Sequence, residues 1–332
     1  MKLGIVGAGM IVQDLLSFIK DIPTISLQAI SSRPSHEEKL RLLQQQYGIE
    51  QVYSNYSEML SDPNVDTVYI GLPNHLHYDY AKEALSHGKH VICEKPFTSN
   101  LSEFLELKEL AEQKQLILVE AITNQYLKNY LSMKDHISQL GDIKIVECNY
   151  SQYSSRYAAF QAGEVLPAFN PEMSGGALMD INLYNIHLVV GLFDSPERVE
   201  YWPNMERDID TSGILFLDYG DFKCVCIGSK DSTAPNSVNI QGNKGYIHMA
   251  SSANIIDSYS YVLNKQEPIR VDQKDHAHRM YDEFVEFDRM ISELDWNKVA
   301  HMLEHSEKVM KVIEQAKKSA NLIFGPDRLR HT

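Results

Sequence analysis

Short apolar runs alternate with helical patterns through the first 120 residues, and this alternation restricts the fold more than any other feature of the chain. Leu3-Gly4-Ile5-Val6, Ser26-Leu27-Gln28-Ala29-Ile30, Val68-Tyr69-Ile70-Gly71, His90-Val91-Ile92-Cys93 and Ile117-Leu118-Val119 read as strands. Helices are expected from about Ile11 to Lys20, around Glu37–Tyr47 and between the third and fourth strands. Another follows Asn100, with Glu103 three residues on as a capping-box partner. Strands that are apolar throughout are buried on both faces, so runs of this kind joined by helices form a parallel sheet covered on both sides. The expectation is a doubly wound α/β domain over residues 1–121.

From about residue 143 the rhythm changes to longer, successive strand-like segments: Ile143–Gln152, Val199–Trp202, Ile214–Tyr219, Phe222–Ile227, Val238–Gln241 and Tyr246–Met249. Tyr219-Gly220-Asp221 and Gly242-Asn243-Lys244-Gly245 read as hairpin turns. One helix, Ala177–Leu192, interrupts the strands, and two amphipathic helices close the chain. Residues 122–332 are therefore expected to form an α+β domain with a large, mostly antiparallel sheet. A length of 332 residues suits two domains, each with its own core. The net charge of −14 argues against nucleic acid, whose phosphates need clustered Lys and Arg. No unbroken apolar run approaches the roughly 18 residues of a membrane helix, so no membrane partner is expected. The opening Met1–Gly7 passes into glycines and reads as a strand and turn, not a signal peptide. Cys93, Cys148, Cys224 and Cys226 lack disulfide or metal spacing, which suits reduced thiols in a cytoplasmic protein.

Three places could carry chemistry. The first is Gly7-Ala8-Gly9, between the opening strand and a helix that begins with Met10 and Ile11. Glycines there permit a tight turn and close approach of backbone to a pyrophosphate, which the helix N-terminus would bind. Val12 stands where the fingerprint has Gly or Ala. At the end of the second strand, where NAD sites place Asp or Glu, the chain has Ser31-Ser32-Arg33-Pro34. Hydroxyls and a guanidinium suit a 2′-phosphate, so NADP(H) is expected in preference to NAD(H); the alternative is a solvated turn.

The second place comprises Leu72-Pro73-Asn74-His75, with His77 just beyond, and Glu94-Lys95-Pro96. Both segments follow strand ends on the edge where open α/β sheets bind ligands. Lys95 could hydrogen-bond a substrate oxygen there, or it could be a surface lysine. The third is the run Gly175–His187, in which Asp180, Tyr184 and His187 fall within roughly 60° of helical arc on an otherwise apolar helix. This stripe reads as an acid/base face or as a satisfied core network. His276-Ala277-His278 and His301/His305 lack an evident third ligand, and no metal site is expected.

These residues together resemble the Gfo/Idh/MocA oxidoreductases, the glucose–fructose oxidoreductase and inositol dehydrogenase family. The likeness spans nearly the whole chain, and Glu94-Lys95-Pro96 combined with Gly-Gly-x-Leu-x-Asp-Ile-x-x-Tyr is its specific part. It implies an N-terminal Rossmann domain on which the C-terminal helices pack back. The second domain would bind substrate, and its open sheet would form a homodimer or homotetramer contact. The implied activity is hydride exchange between a nicotinamide and a carbinol or carbonyl carbon of a small molecule, usually a sugar, polyol or trans-dihydrodiol. Lys95 matches the catalytic lysine, Asp180 the aspartate, and Tyr184 a position that is Tyr in the glucose–fructose and dihydrodiol branches and His in the inositol branch. His187 would orient or relay beside them. Asn182 replaces the usual Gly, and Ile122–Leu127 lacks the Arg and His of the dihydrodiol branch. The rival expectation is a cofactor-sensing protein of the same fold that performs no chemistry.

Overall fold

The computed structural model describes residues 1–329, which divide into two compact units. The first comprises Met1–Thr98, Ser102–Ala121 and Met280–Glu304. The second comprises Ser99–Leu101, Ile122–Arg279 and the residues from His305 on.

The first unit runs β1 (Lys2–Val6), α1 (Met10–Phe18), β2 (Ser26–Ser31), α2 (Glu37–Tyr47), β3 (Gln51–Tyr53), α3 (Tyr56–Leu60), β4 (Thr67–Ile70), α4 (His77–Ser86), β5 (His90–Glu94), α5 (Leu101–Lys114) and β6 (Leu118–Ala121). All its strands are parallel, in the order β3-β2-β1-β4-β5-β6. Leu3, Ile5, Ile30, Val68, Tyr69, Ile70, Val91 and Ile92 are fully buried, as strands covered on both faces require. The short β3 and α3 went unread in the sequence. Gln51-Val52-Tyr53 is a partly exposed edge strand, so no apolar run marks it. The helix Tyr281–Glu293, first of the closing pair, adds Phe284 and Phe287 to this core; Phe284 packs edge-on against Phe18 and Tyr69.

The second unit is built on an eight-stranded sheet. Its strands are β7 (Ile143–Ser151), β8 (Arg198–Glu206), β9 (Ile209–Asp218), β10 (Lys223–Ser229), β11 (Ser237–Gly242), β12 (Gly245–Met249), β13 (Tyr259–Leu263) and β14 (Ile269–Val271). Their order is β14-β13-β12-β11-β7-β10-β9-β8, antiparallel throughout except where β7 meets β10. One face buries Val146, Cys148, Leu215, Leu217, Cys224, Cys226, Val238 and Ile240 completely, while the other exposes Ile145, Trp202, Ile214 and Tyr246.

Pro171–Phe193 is long and apolar enough, by length and composition, to cross a membrane, yet most of it is buried inside the unit. Asp180, Asn182, Asn185 and His187 interrupt the run, so no unbroken apolar stretch marks it in the sequence.

Candidate active site

In the first unit, Val6 at the end of β1 is in register with Ser31 of β2 and Ile70 of β4. Connectivity reverses here, since β1 separates β2 from β4, and such a switch point opens a crevice beyond the carboxyl ends of the strands. A cavity of about 590 Å³ lies there. Gly7, Gly9, Ser31, Ser32, Arg33, Leu72 and Pro73 line it, joined by His36, Tyr56, Gly71 and Tyr80.

Gly7 has φ +121°, and a Cβ on it would stand 2.3 Å from the Gly71 carbonyl oxygen, so no side chain fits. A Cβ on Gly9 would meet no protein atom within 4 Å, which leaves the space above the turn free for a ligand. Gly9 caps α1 without a side-chain hydrogen bond, and the first turn carries no acid. The helix N-terminus is thus available to an anion. These features fit a pyrophosphate. Val12, at the fingerprint's third position, is accommodated because Gly71 has no Cβ; one there would lie 2.7 Å from Val12 Cγ2.

At the β2 end of the cavity the sequence reading missed a residue. His36 closes a three-residue turn that follows Arg33, so that 32, 33 and 36 meet. Arg33 Nε donates to His36 Nε2 at 3.2 Å, and His36 Nδ1 lies 3.0 Å from Ser32 Oγ. Burial, and then the charges of Arg33 and Lys39, hold the imidazole below its ordinary pKa.

Met10, Ile11, Asn74, His75, His77, Glu94, Lys95 and Pro96 were also expected at the cofactor, but they lie outside the lining of this cavity. Met10 is 68% exposed. His75 is partly buried, its Nδ1 lacks a hydrogen-bond partner, and desolvation lowers its pKa. His77 requires a correction. It is wholly buried, and its two ring nitrogens lie 2.8 Å from the Pro96 and Leu72 carbonyl oxygens. It therefore ties the loop after β4 to the loop after β5 from beneath and is inaccessible to a ligand. Buried carboxylates hold the second loop. Glu94 accepts from Tyr69 O–H at 2.7 Å and from the Lys95 N–H at 3.3 Å, and Glu120 accepts from the Phe97 N–H at 3.0 Å. The Lys95 side chain, on a partly buried residue, thus springs from a braced loop.

In the second unit, Gly175 and Gly176 precede a wide π turn, Leu178–Asn182, that passes into the α-helix Leu183–Phe193. Gly176 has φ +100°, and a Cβ on it would fall 2.0 Å from Asp210 Oδ1. Asp210 Oδ2 accepts from the Leu178 N–H at 2.6 Å and from Tyr201 O–H at 2.7 Å, holding the start of the π turn. Complete burial pushes the Asp210 carboxyl up to about 6, against those hydrogen bonds, which pull it down. π turns are frequent at functional sites.

The extra residue in this turn breaks the even 100° spacing, and the expected single stripe separates. Asp180 pairs with the buried ammonium of Lys230 at 2.8 Å, and Lys230 also sits over the Phe169 ring. Tyr184 is 8% exposed, with its ring 6.1 Å from that of Tyr150. His187 is fully buried, with Nδ1 2.9 Å from Nε2 of His305. Of the two readings of this stripe, His187 follows the core one. Asn182 and Asn185 tie the helix to β10 by donating to the Cys226 and Ile227 carbonyls. Asn124 and Gln125, in the segment lacking Arg and His, donate to the Tyr184 and His187 carbonyls. Lys230 and Asp210 were invisible to pattern reading, since neither belongs to a motif. Phe169 is core, stacked on Phe160 at 4.9 Å.

Residues 1–122 match the GFO/IDH/MocA oxidoreductase family with its NAD-binding Rossmann fold, and residues 130–248 match the C-terminal domain of the same group. The chain is 33% identical to the scyllo-inositol 2-dehydrogenase (NADP(+)) of Bacillus subtilis, over 99% of each protein. It is 29% identical to the trans-1,2-dihydrobenzene-1,2-diol dehydrogenase of Xenopus tropicalis over 75% of each. Among solved structures, a 3-ketoreductase from Actinomadura kijaniata in complex with NADP and TDP-benzene superposes with a TM-score of 0.85 at 19% identity, covering 96% of this chain and 97% of the other. A levoglucosan dehydrogenase in complex with NADH and levoglucosan gives 0.82 at 17% identity, with 96% of both covered.

Proposed function

Since the chain belongs to the Gfo/Idh/MocA family of oxidoreductases, we propose that it is an NADP(H)-dependent dehydrogenase acting on a sugar, polyol or dihydrodiol-like substrate. One observation carries the cofactor reading: none of the described residues lining the crevice cavity is acidic, while Ser32, Arg33 and His36 cluster at its β2 end. A 2′-OH would find no carboxylate there, whereas a 2′-phosphate would find a guanidinium.

In this reading the first unit holds the cofactor and the second supplies substrate and subunit contacts. Gly7, Gly9 and the N-terminus of α1 take the pyrophosphate, and Asn74 and His75 serve the nicotinamide side. When bound, the dinucleotide supplies or accepts the hydride. The protein manages the proton. In the reductive direction negative charge develops on the substrate oxygen, to which the Lys95 ammonium and the Tyr184 hydroxyl donate hydrogen bonds and one of them gives up its proton; in oxidation that group, deprotonated, takes the proton back. Asp180, paired with Lys230, positions this end of the helix. His187 acts through the helix, held by His305, without touching substrate. The full-length likeness to the scyllo-inositol enzyme puts polyols first. The exposed apolar face around Ile145, Trp202, Ile214 and Tyr246 is the proposed homo-oligomer contact.

The test has two parts. Titration with NADP⁺ and NAD⁺ should show preference for NADP⁺ that Arg33→Ala abolishes. A panel of sugars, polyols and dihydrodiols, read by NADPH absorbance, should then give turnover first on a polyol. Equal binding of both cofactors overturns the first part, and no turnover across the panel overturns the second.

A further inference from the structure

We propose that His36 reads the cofactor's 2′-phosphate through a proton: the ring is neutral in the free protein and is protonated as the phosphate docks beside Ser32 and Arg33. The proposal rests on the NADP(H) reading and adds a residue and a pH dependence to it.

The geometry fixes the ring's state before binding. Arg33 Nε carries a hydrogen and can only donate, so His36 Nε2, 3.2 Å away, accepts with its lone pair. A ring with a lone pair on Nε2 is neutral, and its hydrogen sits on Nδ1, directed at Ser32 Oγ 3.0 Å away. The charged groups facing His36 are Arg33 and Lys39, both cations that oppose protonation. Glu37, the adjacent acid, is turned to Arg41, whose Nη2 lies 2.7 Å from its carboxylate. The neighbouring helix and loop of the cavity present Tyr56, Tyr80 and Asn55, and none of the described lining residues is a carboxylate. The anion that charges this ring therefore has to come from the ligand.

A phosphate monoester brings a charge of about −1.5 to −2 at neutral pH and three acceptor oxygens. Arriving at this end of the cavity, it competes with His36 for the Arg33 guanidinium. The freed Nε2 lone pair would then face oxygen lone pairs, a repulsive contact. Taking one proton from solvent turns Nε2 into a donor and sets a cation beside the dianion, which favours the charged imidazole. The balance is one proton gained from water, with no covalent change. A ligand with a bare 2′-hydroxyl supplies no such charge and leaves the ring neutral.

The experiment is isothermal titration of the full chain with NADP⁺ and with NAD⁺ between about pH 6.5 and 8.5. It is run in two phosphate-free buffers of different ionisation enthalpy, on the wild type and His36→Gln. Glutamine keeps hydrogen-bonding capacity toward Ser32 and Arg33 but cannot titrate. The wild type should take up a fraction of a proton with NADP⁺, and its affinity should fall by up to about fivefold across the range, which is what one pKa unit of coupling gives a ring that starts below its ordinary value. NAD⁺ binding should be flat. In His36→Gln the fall in NADP⁺ affinity with rising pH and the proton uptake should disappear, leaving only the shallow opposite dependence of the phosphate itself. The phosphate's own ionisation, near pH 6, works in the opposite sense and is common to both proteins. Identical slopes and proton counts in the wild type and the Gln variant overturn the role of His36 while leaving NADP⁺ preference intact. NADP⁺ binding no tighter than NAD⁺ at every pH is a different result, and it removes the cofactor reading itself.

Discussion

The crevice end of the first unit and the helix face of the second present opposite problems to anyone reading a sequence. Around the crevice the chemistry is carried by backbone: a glycine at φ +121°, an uncapped helix start and a short turn that brings residues 32, 33 and 36 together. Contributors stand close together in sequence, and the types allowed at each place are few. On the helix face the chemistry is carried by side chains that meet across long separations. Leu178 N–H reaches Asp210, 32 residues on, and His187 reaches His305, 118 residues on. Local pattern announces the first kind of site; in the second it marks the run Gly175–His187 but not the distant partners Asp210, Lys230 and His305.

The largest effect expected from breaking either region is on Lys95. Lys95→Ala should lower kcat by about a thousandfold, within the range for loss of a positioned general acid. NADP⁺ affinity should change by less than about threefold, because Lys95 lies outside the phosphate cavity. Tyr184→Phe should cost less. If both residues act on one substrate oxygen, as proposed, the double variant should fall far short of the product of the two losses. Multiplicative losses in steady-state kinetics would show that the two residues serve separate steps.

A similar contrast governs what could be read in advance. The existence of β1, β2, β4, β5 and β6 followed from apolar runs, and the glycine turn and Lys95 loop from short motifs. The edge strand Gln51–Tyr53 escaped because three residues, none of them buried, carry no periodicity. The stripe of Asp180, Tyr184 and His187 was drawn at 100° per residue, and a π turn, which no propensity announces, moved Asp180 toward Lys230 and left His187 on His305. His77 looked like a ligand because it follows a strand end, but burial and two carbonyls make it a brace.

Gly176→Ala tests whether the second region is as tightly built as the first. A Cβ would fall 2.0 Å from Asp210 Oδ1 at a backbone angle that side chains avoid. Backbone strain plus displacement of a buried carboxylate should lower stability by about 4 kcal/mol, measured by urea unfolding. A loss under about 1 kcal/mol would mean that the Gly175–Leu178 segment moves freely aside.

Asp210 itself distinguishes the regions by pH. Burial raises its folded pKa to about 6, so between about pH 4 and 6 the native state keeps a proton that the unfolded chain has released. Stability from this group is therefore fully present below about pH 4 and is lost as pH rises to 6, by about 3 kcal/mol. Asp210→Asn removes the dependence. The stability difference, variant minus wild type, should move in the variant's favour by about 3 kcal/mol between pH 4 and 7. A difference that stays constant would place the Asp210 carboxyl at its ordinary value.

The smallest effect is the most discriminating for the helix face. Lys230 is buried, whereas the Asp180 side chain is 36% exposed, so their attraction is partly screened by water. Lys230→Met keeps the length that packs on Phe169 but leaves Asp180 without its ammonium, and it should cost about 2 kcal/mol. Removing the second charge as well, in Asp180→Asn/Lys230→Met, should recover most of that stability, because the single variant keeps a half-buried carboxylate that has lost its ammonium. Activity should not recover with it. If Asp180 positions the helix end that carries Tyr184, the stable double variant should remain impaired in kcat, with NADP⁺ affinity unchanged. A double variant restored in both stability and turnover would make the Lys230–Asp180 pair a packing device and leave Tyr184 and Lys95 to act without it.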